Sequence, residues 1–361
     1  MNEKIAVVLE RATAGEDMWK DPKFEGDYMD VAVSINRLGA FKAILNAAGV
    51  EYETMIEDLG LAIDENMESG KNLTGLWLYE NFNPRKISVE PAYTGLDDFN
   101  YEKYGTFETY QAWQKDFAAA NSDLISIESF GTSLEGRDLN IMKIGSGPKT
   151  IVLHGGTHAR EWISPITMIN FTRRLIEEAR AGGEDAKYTS DLTWYISINT
   201  NPDGYVRSHD VDRMWRKTTN PDTPSACIGV DPNRNWDANW SGPGASNNPC
   251  SQTYYGKSVF SEVETKAASD WLMALNPRPA AYADVHAYSQ YWMFPYGYKE
   301  AKCESHDKLM DMSKEICDAI YEGSFENITR VSLRVIQTKT ILFLKSMSER
   351  VGSDIQRLKM T

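Results

Sequence analysis

The chain has 361 residues, a formal net charge of -14 at pH 7, 42% hydrophobic residues and 25% charged residues. These proportions are ordinary for a globular protein, and the length allows one large domain plus a small one. The acidic balance argues against nucleic acid or an anionic membrane as main partner, because both need a basic surface, and no stretch reads as a transmembrane segment. At the start, residues 5–9 form an apolar run shorter than a signal-peptide core, so no secretion signal is expected in this sequence. Residues 28–34 alternate as a strand does, Leu38, Phe41, Ile44 and Leu45 make a helical stripe closed by Gly49, and 51–56 returns as a second strand. That is a compact α/β unit. Residues 66–93 connect it onward, and Arg85-Lys86 beside Pro84 offers a dibasic site at which a protease could separate the two parts, or a plain linker.

The larger domain begins near Tyr101. Tyr110, Trp113, Phe117 and Ala118 mark a helix, and 124–130 and 139–144 read as strands on either side of a glycine-bounded turn, Gly131 to Gly136. Residues 149–153 form a short β-branched run that His154-Gly155-Gly156 breaks into a sharp turn. Ser164 at a cap and Pro165 at the first helical position then predict a helix carrying Met168, Phe171, Leu175 and Ile176. His158 and Glu161 therefore sit in a strand-to-helix turn, at the carboxyl edge where open α/β sheets bind ligands. H-x-x-E arises often by chance. Catalytic zinc takes three protein ligands, however, and His286 closes another strand-like run, 280–285, and so supplies a third at a strand end.

Residues 194–198 read as a further strand entering a dense turn, 199–205. Arg213-Met214-Trp215-Arg216-Lys217 and Asp231-Pro232-Asn233-Arg234-Asn235-Trp236 follow. Arginine beside tryptophan is commonly surface decoration, but two such clusters downstream of a metal pair favour an anion clamp that grips a carboxylate bidentately. Cys227 and Cys250 bracket a loop rich in Pro, Gly, Ser and Asn, and read either as a disulfide or as two free thiols; the pairing of Cys303 and Cys317 is open. Strands alternating with helices give an α/β domain with helices on both faces of the sheet.

These segments, with Asn201-Pro202-Asp203-Gly204 and 286–290, stand in the order and near the spacing of the zinc metallocarboxypeptidases of the carboxypeptidase A/B type, which the chain resembles from about Trp19 to Phe325. Carboxypeptidase A is itself a standard instance of a His/Glu/His zinc site. The resemblance implies a mixed twisted sheet flanked by helices, preceded by a small α+β open-sandwich activation domain. It implies an activation domain at 15–85, a connecting segment at 86–98 and a catalytic domain at 99–326. His158, Glu161 and His286 would hold one zinc ion, and Asp231 would orient a ligand imidazole. Asn233 and Arg234 would grip the free carboxylate of a peptide or protein C-terminus, Arg216 would polarise the scissile carbonyl, and Arg160 and Tyr288 would line outer subsites. Cys227 and Cys250 match the family's disulfide loop, which with the family's habit implies secretion, and an activating protease would cut at or near Arg85-Lys86.

The pattern then breaks. The family's general base is a glutamate in a Phe-Glu-Leu-Arg-like strand well beyond the last zinc histidine, preceded by a loop with a mobile tyrosine, and neither is found here. Glu300, Glu304, Glu322 and Glu326 lie in no such context. Residues 328–361 carry seven Lys or Arg against Glu349 and Asp354 and contain no Tyr, Trp or Pro. Residues 327–361 thus read as a basic tail foreign to the family: either the product of an altered reading frame, an alternative exon or a faulty gene model, or a genuine basic amphipathic tail, in which case the sheet is expected to lose its last strands and closing helix. Two activities are compatible with this: a carboxypeptidase zymogen impaired for want of its base, or a zinc-containing protein that binds peptide C-termini without hydrolysis.

Overall fold

The computed structural model describes residues 17–20, 28–61, 93–288, 291–299, 301–323, 334–336, 341–343 and 355–359. The Arg85-Lys86 site and Ser289 and Gln290 lie outside them. The chain divides into two compact units, one of 1–82 with 348–361 and one of 83–347.

In the smaller unit, β1 (Asp17–Lys20), β2 (Tyr28–Ala32), β3 (Tyr52–Thr54) and β12 (Ile355–Lys359) form an antiparallel sheet in the order β1-β2-β12-β3. Helix α1 (Ile35–Ala48) buries Phe41 and Leu45 with Met29, Val31 and Val50. Ile44, placed on the same stripe by the sequence, is exposed. The helix stops at Gly49, whose φ of 69° is a left-handed conformation that glycine adopts without steric cost.

The larger unit is built on an eight-stranded sheet in the order β10-β9-β11-β8-β6-β7-β5-β4. Its strands are β4 (Ile125–Thr132), β5 (Asp138–Ile144), β6 (Lys149–His154), β7 (Leu192–Ser197), β8 (Ala281–His286), β9 (Tyr291–Met293), β10 (Arg334–Ile336) and β11 (Ile341–Phe343). The strands β8, β6 and β7 run parallel, and β5 and β4 continue antiparallel, so the sheet is mixed. Residues β-branched or apolar at alternate positions drive this: Ile141, Val152 and Tyr195 pack on one face with Trp271, Leu272 and Leu275. The last two belong to or follow α5 (Val263–Ala274); α3 (Ile163–Ala181) packs on β7 and β8. Further helices are α2 (Phe107–Ala120), capped by Thr106 accepting from Thr109 N, α4 (Pro202–Asp210) and α6 (His306–Gly323), besides a single turn at Lys187–Ser190.

Three expectations change. Helix α3 begins at Ile163, ahead of Ser164, because the Ser164 hydroxyl is engaged elsewhere: it accepts from Gly156 N at 2.8 Å and donates to the Val285 carbonyl at 2.6 Å. The 199–205 turn opens α4, with Asn201 accepting from Gly204 N at 3.1 Å and Pro202 in the first turn. The sheet also continues past β8, since β11 pairs with both β8 and β9, so two short β-forming runs of the basic stretch occupy the positions expected to be lost.

Near the start of α5, Glu264 is buried and accepts from Leu134 N at 3.0 Å. Burial, with Asp203 and Glu262 nearby, pushes its carboxyl up to about 7. The folded protein thus holds a proton that the unfolded chain releases near pH 4.5, so stability is lost as pH rises from about 4.5 to 7. Glu264→Gln should therefore match the native protein near pH 4.5 and exceed it above pH 7 by about 3 kcal/mol, taking ~1.4 kcal/mol per pKa unit. Denaturant midpoints at both pH values measure it; a gain independent of pH would refute it.

Candidate metal centre

Two neighbouring parallel strands aim their carboxyl ends at one point. β6 and β8 pair with His154 opposite Asp284, so the turn after β6 and the end of β8 lie at the same edge. Within the turn, Glu161 N donates to the His158 carbonyl and Ser164 N to the Glu161 carbonyl, which folds 158–164 into a tight corner. Ser164 then ties that corner to Val285, the residue before His286.

His158, Glu161 and His286 are 3%, 8% and 1% exposed, and a donor atom from each lies within 4.8 Å of the others. His158 Nδ1 is 2.8 Å from Glu161 Oε1, His286 Nδ1 is 2.9 Å from Glu161 Oε2, and the two Nδ1 atoms are 3.0 Å apart. Ligands on a zinc tetrahedron with bonds of 2.0–2.1 Å stand roughly 3.3 Å apart, so small outward shifts make this donor set fit the ion. The outer nitrogens are also committed: His158 Nε2 lies 3.1 Å from Asp231 Oδ1, and His286 Nε2 lies 2.9 Å from Asp284 Oδ2. A carboxylate only accepts, so each imidazole donates outward from Nε2. Something positive must then lie between Nδ1 of His286 and Glu161, either a proton or a metal. The surrounding charges act in the same direction: burial opposes a charged imidazole, but Asp284 and Glu161 outweigh it and push His286 up to about 10. Burial would likewise raise Glu161, yet His158 and His286 hold it well below the usual carboxylate range.

Arg216 closes the cluster. Its Nη1 is 3.2 Å from His158 Nδ1 and 3.5 Å from Glu161 Oε1, Nη2 donates to Asp231 Oδ2 at 2.9 Å, and Nε donates to the Gln252 carbonyl at 3.2 Å. Asp231, fully buried, is kept ionised against the cost of burial by Arg216 and His158. The loop bearing Arg216 is clasped to the metal turn: Ala159 N donates to the Arg216 carbonyl at 3.1 Å, and Arg213 stacks on Trp162 at 3.7 Å while donating to the Arg160 carbonyl at 2.8 Å.

The remaining residues singled out in the sequence lie around this cluster without entering it. Arg234 donates to the carbonyls of Gly244 and Asn233 at 2.8 and 3.0 Å, and its charge reaches Asp231. Asn233 is half-buried; its backbone N–H donates to Asp231. Arg160 reaches the Met214 carbonyl at 3.4 Å, and Tyr288 is exposed two residues after His286. Cys227 and Cys250 form a disulfide spanning this loop, while Cys303 and Cys317 are free. Of the glutamates weighed as bases, Glu304 is exposed, Glu322 sits in the last turn of α6, and Glu300 and Glu326 lie outside the described residues. The sequence reading missed Asp284, submerged in an apolar run; Asp-x-His on one strand face was the available signal.

Comparison with known proteins agrees with the geometry. Residues 110–341 match the zinc carboxypeptidase family, and residues 4–66 match the carboxypeptidase activation peptide. Human carboxypeptidase A1 is 35% identical over 310 residues, 84% of this chain and 69% of that protein. The structure of bovine thrombin-activatable fibrinolysis inhibitor in complex with tick carboxypeptidase inhibitor superposes with a TM-score of 0.59 at 30% identity, over 67% of this chain and 77% of that one. A crystal structure of thrombin-activatable fibrinolysis inhibitor shares the fold over 94% of this chain and 87% of its own, with a TM-score of 0.78 at 24% identity. Among the described residues, no helix is long and apolar enough to cross a membrane. The chain belongs to the zinc carboxypeptidase family, a family of metallocarboxypeptidase hydrolases, and carries that family's activation peptide ahead of its catalytic domain.

Proposed function

We propose that this protein is a metallocarboxypeptidase zymogen that takes one zinc ion at His158, Glu161 and His286 and engages the C-terminal residue of peptides and proteins. The convergence of those three donors with Arg216 carries the reading. When bound, zinc supplies Lewis-acid polarisation and water activation. Asp231 orients His158, and Arg216 stabilises negative charge developing on the scissile carbonyl oxygen, a contribution of about 3–4 kcal/mol per donor. Asn233 and Arg234 hold the substrate's terminal carboxylate, and Arg160 and Tyr288 meet residues further along the substrate. Processing near Arg85-Lys86 precedes activity, and the inhibitor complex of the bovine relative supports protein inhibitors as further partners. The disulfide supports an oxidising, extracellular destination.

Among the described residues, the carboxylates in contact with the two histidines are Glu161, Asp231 and Asp284, and each is engaged as ligand or support. That favours a second reading, in which peptide C-termini are bound with little hydrolysis. Both readings share the carboxylate clamp. Arg234→Lys replaces a planar fork by a point charge and should weaken free-acid peptides about 10-fold or more, with C-terminal amides little affected. Equal loss for acid and amide in a calorimetric titration would place the clamp elsewhere.

A further inference from the structure

Asp284 and His286 stand two residues apart on β8, and a strand's period of two puts both side chains on one face. Asp284 is 8% exposed. One carboxylate oxygen meets His286 Nε2 at 2.9 Å, and Thr157 Oγ1 donates to both oxygens at 3.0 and 2.9 Å. Thr157 is the neighbour of His158. A single buried carboxylate therefore touches one histidine directly and is hydrogen-bonded to the segment that carries the other.

We infer that Asp284 is a positioning residue of the metal centre: it holds His286 in the Nε2–H tautomer with Nδ1 turned inward, and through Thr157 it fixes the spacing between the two histidine-bearing segments. The inference rests on reading His158, Glu161 and His286 as the ligands. Because a carboxylate only accepts, the Nε2 proton is pinned on the outer side and the lone pair of Nδ1 is left for the metal. The two histidines are not supported alike. Asp231 shares its charge with Arg216, whereas Asp284 meets only a neutral hydroxyl besides the imidazole in its hydrogen bonds, so its charge falls on His286. Asp284→Ala would leave the His286 ring N–H buried without its acceptor and turn the Thr157 hydroxyl to Thr200 Oγ1, 3.2 Å away, so that its tie to β8 is lost. Asparagine keeps a neutral acceptor oxygen.

The test uses the full chain, with zinc affinity measured by chelator competition at one pH and the His286 Nε2–H proton followed by NMR. Asp284→Ala should weaken zinc binding about 10–100-fold and abolish the downfield Nε2–H resonance, while Asp284→Asn should recover most of the affinity and keep the resonance at a shifted position, since a neutral oxygen replaces the carboxylate. Affinity within about threefold of native in Asp284→Ala, small against that range, would overturn the inference. So would weakened binding with the resonance unchanged, the mark of a merely structural role. If Asp284→Ala does not fold, Asp284→Asn and Thr157→Val decide: the Nε2–H resonance should move in the first and zinc affinity should fall in the second, and native behaviour in both overturns it. Zinc retained by His286→Ala would sink the ligand reading itself; zinc lost there but held at native affinity by the Asp284 variants would sink this inference alone.

Discussion

His286→Ala is expected to leave the protein without stoichiometric zinc after dialysis, and His158→Ala should do the same. Partners that only support a ligand are worth about 10–100-fold in metal affinity, so removing one of three ligands should cost more than that. The substitution also leaves Glu161 and Asp284 buried at 8% exposure with no imidazole between them. Metal content by plasma mass spectrometry, with circular dichroism to establish folding, measures it; equal zinc in a folded variant and the native protein would refute the ligand assignment.

The second large effect concerns turnover. A positioned general base contributes about 10²–10⁴-fold in rate. Among the described residues, the carboxylates beside the metal donors already serve as ligand or as supports of His158 and His286. The zinc-loaded, processed protein should thus bind free-acid peptides yet hydrolyse blocked dipeptides about 10²–10⁴-fold below ordinary enzymatic rates. A panel of aromatic, aliphatic and basic C-terminal residues tests this. Ordinary rates abolished by a chelator would mean that a residue outside those described supplies the base.

Much of the site could be read from the chain because its ligands sit where periodicity changes. His158 and Glu161 follow a β-branched run broken by glycines, and His286 terminates another, so strand ends mark the metal edge in the sequence itself. What escaped was carried by hydroxyls and carboxylates whose partners are distant in sequence. Ser164 looked like a helix cap because the local pattern fits one, but its hydroxyl bonds Val285 across the sheet. Asp284 passes unnoticed inside the strand-like run 280–285, since nothing local reveals Thr157 beside it. Turn chemistry misled similarly at 199–205, where Asn201 and Pro202 begin a helix that their composition also suits. The strands at 334–336 and 341–343 were not read in the sequence, because their place in the sheet depends on β8 and β9 far upstream.

The smaller sheet has a consequence for the order of events during synthesis. β12 sits between β2 and β3, so that Ile355 pairs with Ala32 and Gln356 with Thr54. The strands that receive it lie about 300 residues upstream and must wait for that stretch to emerge. At about 5–20 residues per second that delay is on the order of 15–60 s. Through that interval β2 and β3 each present an edge whose final partner does not yet exist, the situation in which nascent chains pair with one another. A chaperone bound to the young N-terminal strands would therefore change the yield of folded protein.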